Sequence, residues 1–521
     1  MKLKLSMLSA VVLAAASSGA CVLAKTAKDI LVIGKSADPQ NLDPAVTMDN
    51  NDWTVIYPAY QRLVRYKVHD GKASSELEGD LAQSWSSSPD AMTWDFKLKP
   101  GSKFADGSPV DAHAVKFSFE RLLALKKGPS EPFPPGIGIS APDASTVRFK
   151  LKSGFAPFLS ILAIDGASVV NPKVMQYEKN GDKAQGWLAG HTMGSGAFQL
   201  SSWQKGQSIV MDKSPHPNGA APAFNKVIIK FVPEASARRL QLQGGDMDIA
   251  EDLPPDQIEA LKAQQGRQGV VVGDYPSLRV TYLYLNNKKA PLDKPEVRRA
   301  IIAAVDVRAI IDGIFSGKAK AMNGPIPEGM WGHDAQAAPA AFAPAKAREL
   351  LAKAGLRNLR LSFLLSDKDP SWSPIALATQ SNLADVGIQV RLENMANASF
   401  RERVGKGDFD IAIGNWSPDF ADPYMFMNYW FESDMQGAAG NRSFYSNPRV
   451  DALLARAAHA GALSERSRLY QEAQKIVVDD AVYVYLFQKN TQIAARSSVK
   501  GLVFNPMLEQ IYDVHRMSKS E

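Results

Sequence analysis

Arg360-Leu361-Ser362-Phe363-Leu364-Leu365 reads as a strand, residues 374–386 as a helix, Gln389-Val390-Arg391-Leu392-Glu393-Asn394 as a second strand, and Phe409-Asp410-Ile411-Ala412-Ile413 as a third. Strands alternating with helices mark a parallel or mixed sheet with helices on its faces, because a parallel connection needs a crossover long enough to hold a helix. Helical patterns at 295–304, 345–354 and 448–461 extend the alternation, and Val280 to Asn286 is the strand that opens it. Upstream the pattern differs. Thr93–Leu98 and Thr146–Leu151 alternate with period two, on either side of a helix that Asp111 can cap and that runs to about Leu125 with Val115, Phe119, Leu122 and Leu123 on one face. Ser208–Lys213 and Lys226–Val232 are further strands. The fold class is α/β, with a boundary near residue 285.

At 521 residues the chain is too long for one ordinary core. Its 45% apolar and 22% charged residues are ordinary for a globular chain and argue against a disordered or multispan membrane protein. A formal charge of +6 is too mild to point to nucleic acid or a membrane surface. The N-terminus is more specific. Lys2 and Lys4 precede the uncharged apolar run Leu5 to Ala16, and Val22-Leu23-Ala24 ends before Lys25. This is a secretory signal pattern, with cleavage expected after Ala24 and export to the periplasm. Lipoprotein processing at Cys21 is the weaker reading, since Ser18 replaces the usual branched apolar residue. Cys21 is the only cysteine, so cleavage leaves neither a disulfide nor a thiolate.

Catalytic and cofactor motifs fail on inspection. Gly34-Lys35-Ser36 imitates the end of a phosphate loop, but Asp29 stands where that loop needs glycine, so it reads as a strand end. Gly136-Ile137-Gly138-Ile139-Ser140-Ala141 imitates a dinucleotide fingerprint but runs into Pro142 with no helix behind it. No Gly-x-Ser-x-Gly or His-Glu-x-x-His occurs, and the seven histidines are far apart. The expectation is a binding protein rather than an enzyme, with no cofactor, no metal and no nucleic-acid partner. An exported hydrolase is the reading from another class, and turnover of a substrate would reveal it.

What remains is Asp408 to Asp434. After the strand ending at Ile413, Gly414-Asn415-Trp416-Ser417-Pro418-Asp419-Phe420-Ala421-Asp422-Pro423 forms a loop at a strand's carboxyl end, where α/β sheets place ligands. Asp422 precedes a proline suited to the first helical position and reads as an N-cap used by its own helix. Asp419 has no such local task. Beside Trp416 it could pair with a ligand ammonium, or it could serve an Asx turn.

Together with Leu81-Ala82-Gln83-Ser84-Trp85, Thr93 to Gly101, Phe104 to Ala112, Gly194-Ser195-Gly196-Ala197-Phe198, Asn286-Asn287, Pro295 to Ala300, Ala345 to Leu351, Phe444 to Pro448 and Asp451 to Leu454, this loop resembles the extracellular solute-binding proteins of family 5, the peptide and nickel binding components of ABC importers. The likeness covers roughly residues 29–515. It implies a two-lobed periplasmic binding protein fold (type II, cluster C) with an extra subdomain in the first lobe. The implied division is 1–24 signal peptide, 25–58 and 193–285 first lobe, 59–192 subdomain, 286–495 second lobe and 496–521 returning to the first. It also implies closure of the lobes on a di- or oligopeptide, with crossing points near 283–286 and 495–498, delivery to an inner-membrane permease, and a monomer.

In peptide-binding members the position of Asp419 holds the α-amino group, and the segment matching Val46-Thr47-Met48-Asp49-Asn50 lines the ligand. Dipeptide-binding members place an arginine for the ligand carboxylate in the loop that here reads Leu365-Ser366-Asp367-Lys368-Asp369-Pro370-Ser371-Trp372. Only Lys368 could substitute there, as a point charge without the fork. A non-peptide solute (an opine, glutathione, a sugar or a nickel chelate) fits the same resemblance.

Overall fold

The computed structural model describes residues 26–69, 71–264, 269–338, 340–437 and 440–520. The cleavage expected after Ala24 and the alternative at Cys21 lie outside them. One eleven-stranded mixed sheet organises the chain. At its centre Val270–Leu285 and Tyr483–Arg496 pair antiparallel over most of their length, from Val270 opposite Arg496 to Tyr284 opposite Tyr483. On one flank lie Ile411–Trp416, Leu359–Ser366 and Ile388–Met395; the latter two pair in parallel, and Leu359–Ser366 also pairs in parallel with Ile411–Trp416. This is the alternating section read from the sequence, and the helix Trp372–Ala384 is its crossover. On the other flank lie Ile249–Ala250, Ile30–Lys35, Lys226–Phe231, Ser208–Lys213 and Phe198–Gln204.

The two central strands therefore serve both halves. Their register breaks between Pro276 and Val280, where proline has no N–H to donate to the ladder. That break lies opposite residues 488–490 of the partner strand, and a second register shift follows between Thr281 and Tyr282. The sequence shows a strand only from Val280 because residues 271–276 are exposed or half-buried and are interrupted by Gly273, Asp274 and Pro276, whereas 277–285 are buried but for Arg279.

A separate four-stranded antiparallel sheet, ordered Ala82–Ser87, Thr93–Leu98, Thr146–Lys150, Gly138–Asp143, carries the helix Ala112–Leu125. Asp111 caps that helix by accepting from the Ala114 N–H at 2.9 Å. Phe96, Phe119 and Phe158 meet Phe149 edge-on at 5.8, 5.0 and 5.2 Å, a favoured arrangement for aromatic quadrupoles. This sheet's buried core is continuous with that of residues 278–487. The contact is made by the Ala156 N–H to Ala458 O at 2.8 Å, Ser160 Oγ to Ala421 O at 3.2 Å and the Phe155 and Tyr424 rings at 5.3 Å.

The glycines of Gly194-Ser195-Gly196 are required by close approach. A Cβ on Gly194 would sit 2.2 Å from Ala59 O, and one on Gly196 2.2 Å from Pro58 O. Both abut the end of the helix Asn50–Ala59, whose last turn contains Pro58. No helix among the described residues is long and apolar enough to cross a membrane.

Candidate functional site

The carboxyl ends of Leu359–Ser366 and Ile411–Trp416 bring together residues from distant parts of the chain. Trp416 closes its strand opposite Val280. Its ring stacks on Tyr429 at 5.3 Å and meets Trp430 edge-on at 5.1 Å, while its indole N–H donates to Met425 O at 3.1 Å. The tryptophan is thereby held as a fixed, half-buried wall.

The two loop aspartates divide as their neighbours predict. Asp422 caps the short helix Pro423–Met425 through the Tyr424 N–H at 2.9 Å. It also accepts both arms of Arg466 at 2.8 Å, a fully buried fork that the linear sequence does not reveal. Asp419 makes no hydrogen bond or ion pair with the described residues. It keeps an accessible face, yet the surrounding protein strips enough water to raise its carboxyl above the ordinary value, and the Glu131 carboxylate adds to that rise. An unpaired carboxylate in that position is disposed to accept a cation.

Glu131 follows the turn Gly128–Ser130, and a Cβ on Gly128 would sit 2.7 Å from Met48 Cγ. The loop Val46–Asn50 therefore belongs to the same wall. Within it Met48 is exposed, whereas the Thr47 hydroxyl is buried and donates to Asp52. Asp49 caps the helix Asn50–Ala59 through the Asn51 N–H at 2.7 Å. Asn50 is exposed, and its carbonyl accepts from Thr54.

Lys368, after the strand Leu359–Ser366, is an exposed residue. Partial loss of hydration at its ammonium lowers its pKa, and Arg279, Arg442 and Arg401 lower it further, against Asp369. Asp369 is already engaged, accepting from the Ser371 N–H at 3.0 Å, the Ser371 hydroxyl at 2.6 Å and Asn415 Nδ2 at 3.4 Å. Tyr429 stacks on Trp416 and feels charges of both signs. Burial raises its phenol; Arg442 and Arg401 pull it down, while Asp419 and Glu131 push it up. Acid thus acts on Asp419 through Glu131 and base on Lys368 through Arg279, Arg442 and Arg401, and Tyr429 feels both sets.

Glu131, Arg279, Arg401 and Arg442 escaped the reading of the sequence, since each is an ordinary residue of its own element. Among the described residues no group of three or more His, Cys, Asp or Glu side chains could hold a metal ion.

Comparison with known proteins places these features in context. The model of bacterial extracellular solute-binding proteins, family 5 Middle, matches residues 76–438. The probable D,D-dipeptide-binding periplasmic protein DdpA of Escherichia coli K12 is 58% identical over 492 residues, 94% of this chain and 95% of that protein. The periplasmic binding protein DppA from Helicobacter pylori, solved with the peptide STSA, is 28% identical and superimposes with a TM-score of 0.71 over 94% of this chain and 98% of its own. HbpA2 from Haemophilus parasuis, 24% identical, shares the fold with a TM-score of 0.86 over 94% of this chain and 100% of its own.

Proposed function

The chain belongs to the bacterial extracellular solute-binding proteins of family 5, and from that premise we propose that it captures short peptides between two lobes and hands them to the membrane permease of an ABC importer. The observation that carries this reading is Asp419, an unpaired carboxylate beside a fixed aromatic wall at a strand's carboxyl end. A ligand α-ammonium would provide the counter-charge that Asp419 lacks, with Trp416 and Met48 giving apolar contact. The resemblance to a D,D-dipeptide-binding relative makes dipeptides of that handedness the first ligands to test.

In this reading residues 25–58, 193–285 and 496–521 form the first lobe, 59–192 its subdomain and 286–495 the second lobe. Closure would flex the central strands at their register break, where the ladder is weakest. The protein would act in the periplasm as a monomer after processing at Ala24. It would bind without breaking bonds, since the cleft residues described above include no nucleophile paired with a base.

The test is isothermal titration of the purified protein with D-alanyl-D-alanine, L-alanyl-L-alanine and longer peptides, alongside mass spectrometry of whatever the protein carries when denatured. Saturable binding of a free-amine peptide, abolished by N-acetylation, is expected. A single recurring non-peptide mass with no peptide binding would replace the peptide by another solute.

A further inference from the structure

Asp419 hangs from a segment that other parts of the chain hold in place. Ala421, two residues on, is fully buried. Its carbonyl accepts the Ser160 hydroxyl at 3.2 Å and the Trp331 indole N–H at 3.4 Å. Ser160 lies on the short helix Phe158–Ile161 of the subdomain, and Trp331 lies in the second lobe, in the loop that follows Ala319–Ala321. A serine on a helix ordinarily returns its hydroxyl to a carbonyl one turn back. Here the hydroxyl, on a residue 8% exposed, crosses 261 positions of sequence to reach the ligand loop.

The residues after Ala421 are fixed as firmly. The Trp331 ring lies over the Arg466 guanidinium at 4.9 Å, and Arg466 forks Asp422 at 2.8 Å. A Cβ on Gly332 would sit 3.2 Å from Pro423 Cγ, and the Phe155 ring meets Tyr424 at 5.3 Å. The Asp422 N–H donates to Phe420 O at 2.8 Å, a tight turn that ties the residue next to Asp419 to this held segment. Asp419 thus takes its position from Ala421. Of the two donors to Ala421, only Ser160 comes from across the lobe boundary. The subdomain's core runs into that of the second lobe, while the strands Ile30–Lys35, Lys226–Phe231 and Ser208–Lys213 pack on a core of their own. The Ser160 contact is therefore buried, where an unpaired carbonyl is costly.

We propose that Ser160 is a positioning residue for the ligand: by holding Ala421 from the subdomain, it sets the Asp419 carboxylate against the ligand's ammonium when the lobes close. The inserted subdomain then takes a direct part in binding. The inference rests on the peptide reading above. A charge-assisted bond needs its acceptor placed within about 0.5 Å, and the Asp419 carboxylate has no partner of its own among the described residues to hold it there.

The experiment is titration calorimetry with D-alanyl-D-alanine and L-alanyl-L-alanine on the wild-type protein, Ser160→Ala, Ser160→Cys, Ser160→Thr, Asp419→Asn and the double variant Ser160→Ala/Asp419→Asn. Ser160→Ala should raise Kd about 3- to 10-fold, the value of one buried hydrogen bond. Ser160→Cys, which keeps the volume but donates weakly, should do the same, and Ser160→Thr, which keeps the hydroxyl, should recover most of the loss. In the Asp419→Asn background, Ser160→Ala should change Kd by less than about twofold, because the group it positions no longer carries charge. A bond that only holds the lobes together would cost the same with and without the Asp419 carboxylate. That equal loss, or an unchanged Kd in Ser160→Ala and Ser160→Cys, overturns the positioning role and leaves the peptide reading intact. Failure of every peptide to bind the wild-type protein overturns both. Thermal unfolding without ligand checks that each variant is folded, and Ser160→Cys decides the matter should the alanine variant fold poorly.

Discussion

Replacing Asp419 by Asn separates binding from folding more sharply than any other single change. In the ligand-free protein this carboxylate contributes no hydrogen bond or ion pair to the described residues, so its loss removes no native contact. Burial and then Glu131 raise its pKa. The folded state therefore holds its proton more tightly than the unfolded chain, and ionisation costs stability as pH rises through the native value. Asp419→Asn should accordingly leave the melting temperature at pH 7.5 unchanged or slightly higher. Binding should behave in the opposite way. A charge-assisted contact to a ligand ammonium contributes about 1.5–3 kcal/mol, and its loss corresponds to about a 10- to 150-fold rise in Kd. In the wild type, affinity should fall as pH drops through the raised carboxyl value, and this dependence should flatten in the variant. Titration calorimetry at several pH values, paired with thermal unfolding, reads both effects. An unchanged Kd, or a clear loss of melting temperature, would refute the assignment.

Asp422→Ala should do the reverse, unfolding the protein more readily by about 3–5 kcal/mol because it strands Arg466 in the interior; urea denaturation measures this. Gly196→Ala drives a Cβ against Pro58 O and should lower stability by about 1–3 kcal/mol, seen as a reduced melting temperature. Trp416→Phe keeps an aromatic wall but loses the bond to Met425, so the fluorescence change on ligand binding should shrink while the fold is retained. Lys35→Met alone should destabilise strongly, because Lys35 Nζ and the Glu251 carboxylate meet at 2.6 Å with about 1% exposure each; adding Glu251→Leu should recover much of the loss, as a double-mutant cycle would show.

Local chemistry made much of this protein legible in advance. Strand and helix periods, the caps at Asp111 and Asp422 and the strand end at Gly34-Lys35 are written within a few residues, because dihedral preference, capping and alternation act over one turn or one pleat. The idle carboxylate at Asp419 was visible for the same reason, since its neighbours have no local use for it. The Lys35 ammonium turns inward to Glu251 and Thr54, and only folding reveals where it goes.

The charges that act on Lys368 and Asp419 are a product of the fold. Arg279, Lys368, Arg401 and Arg442 come from different elements, and Glu131, far from Asp419 in sequence, acts on its carboxylate. Nothing within a few residues of any of them records the meeting. Strand order and register bring them together, and these follow from burying both faces of the central strands, whose energy is shared across the whole sheet.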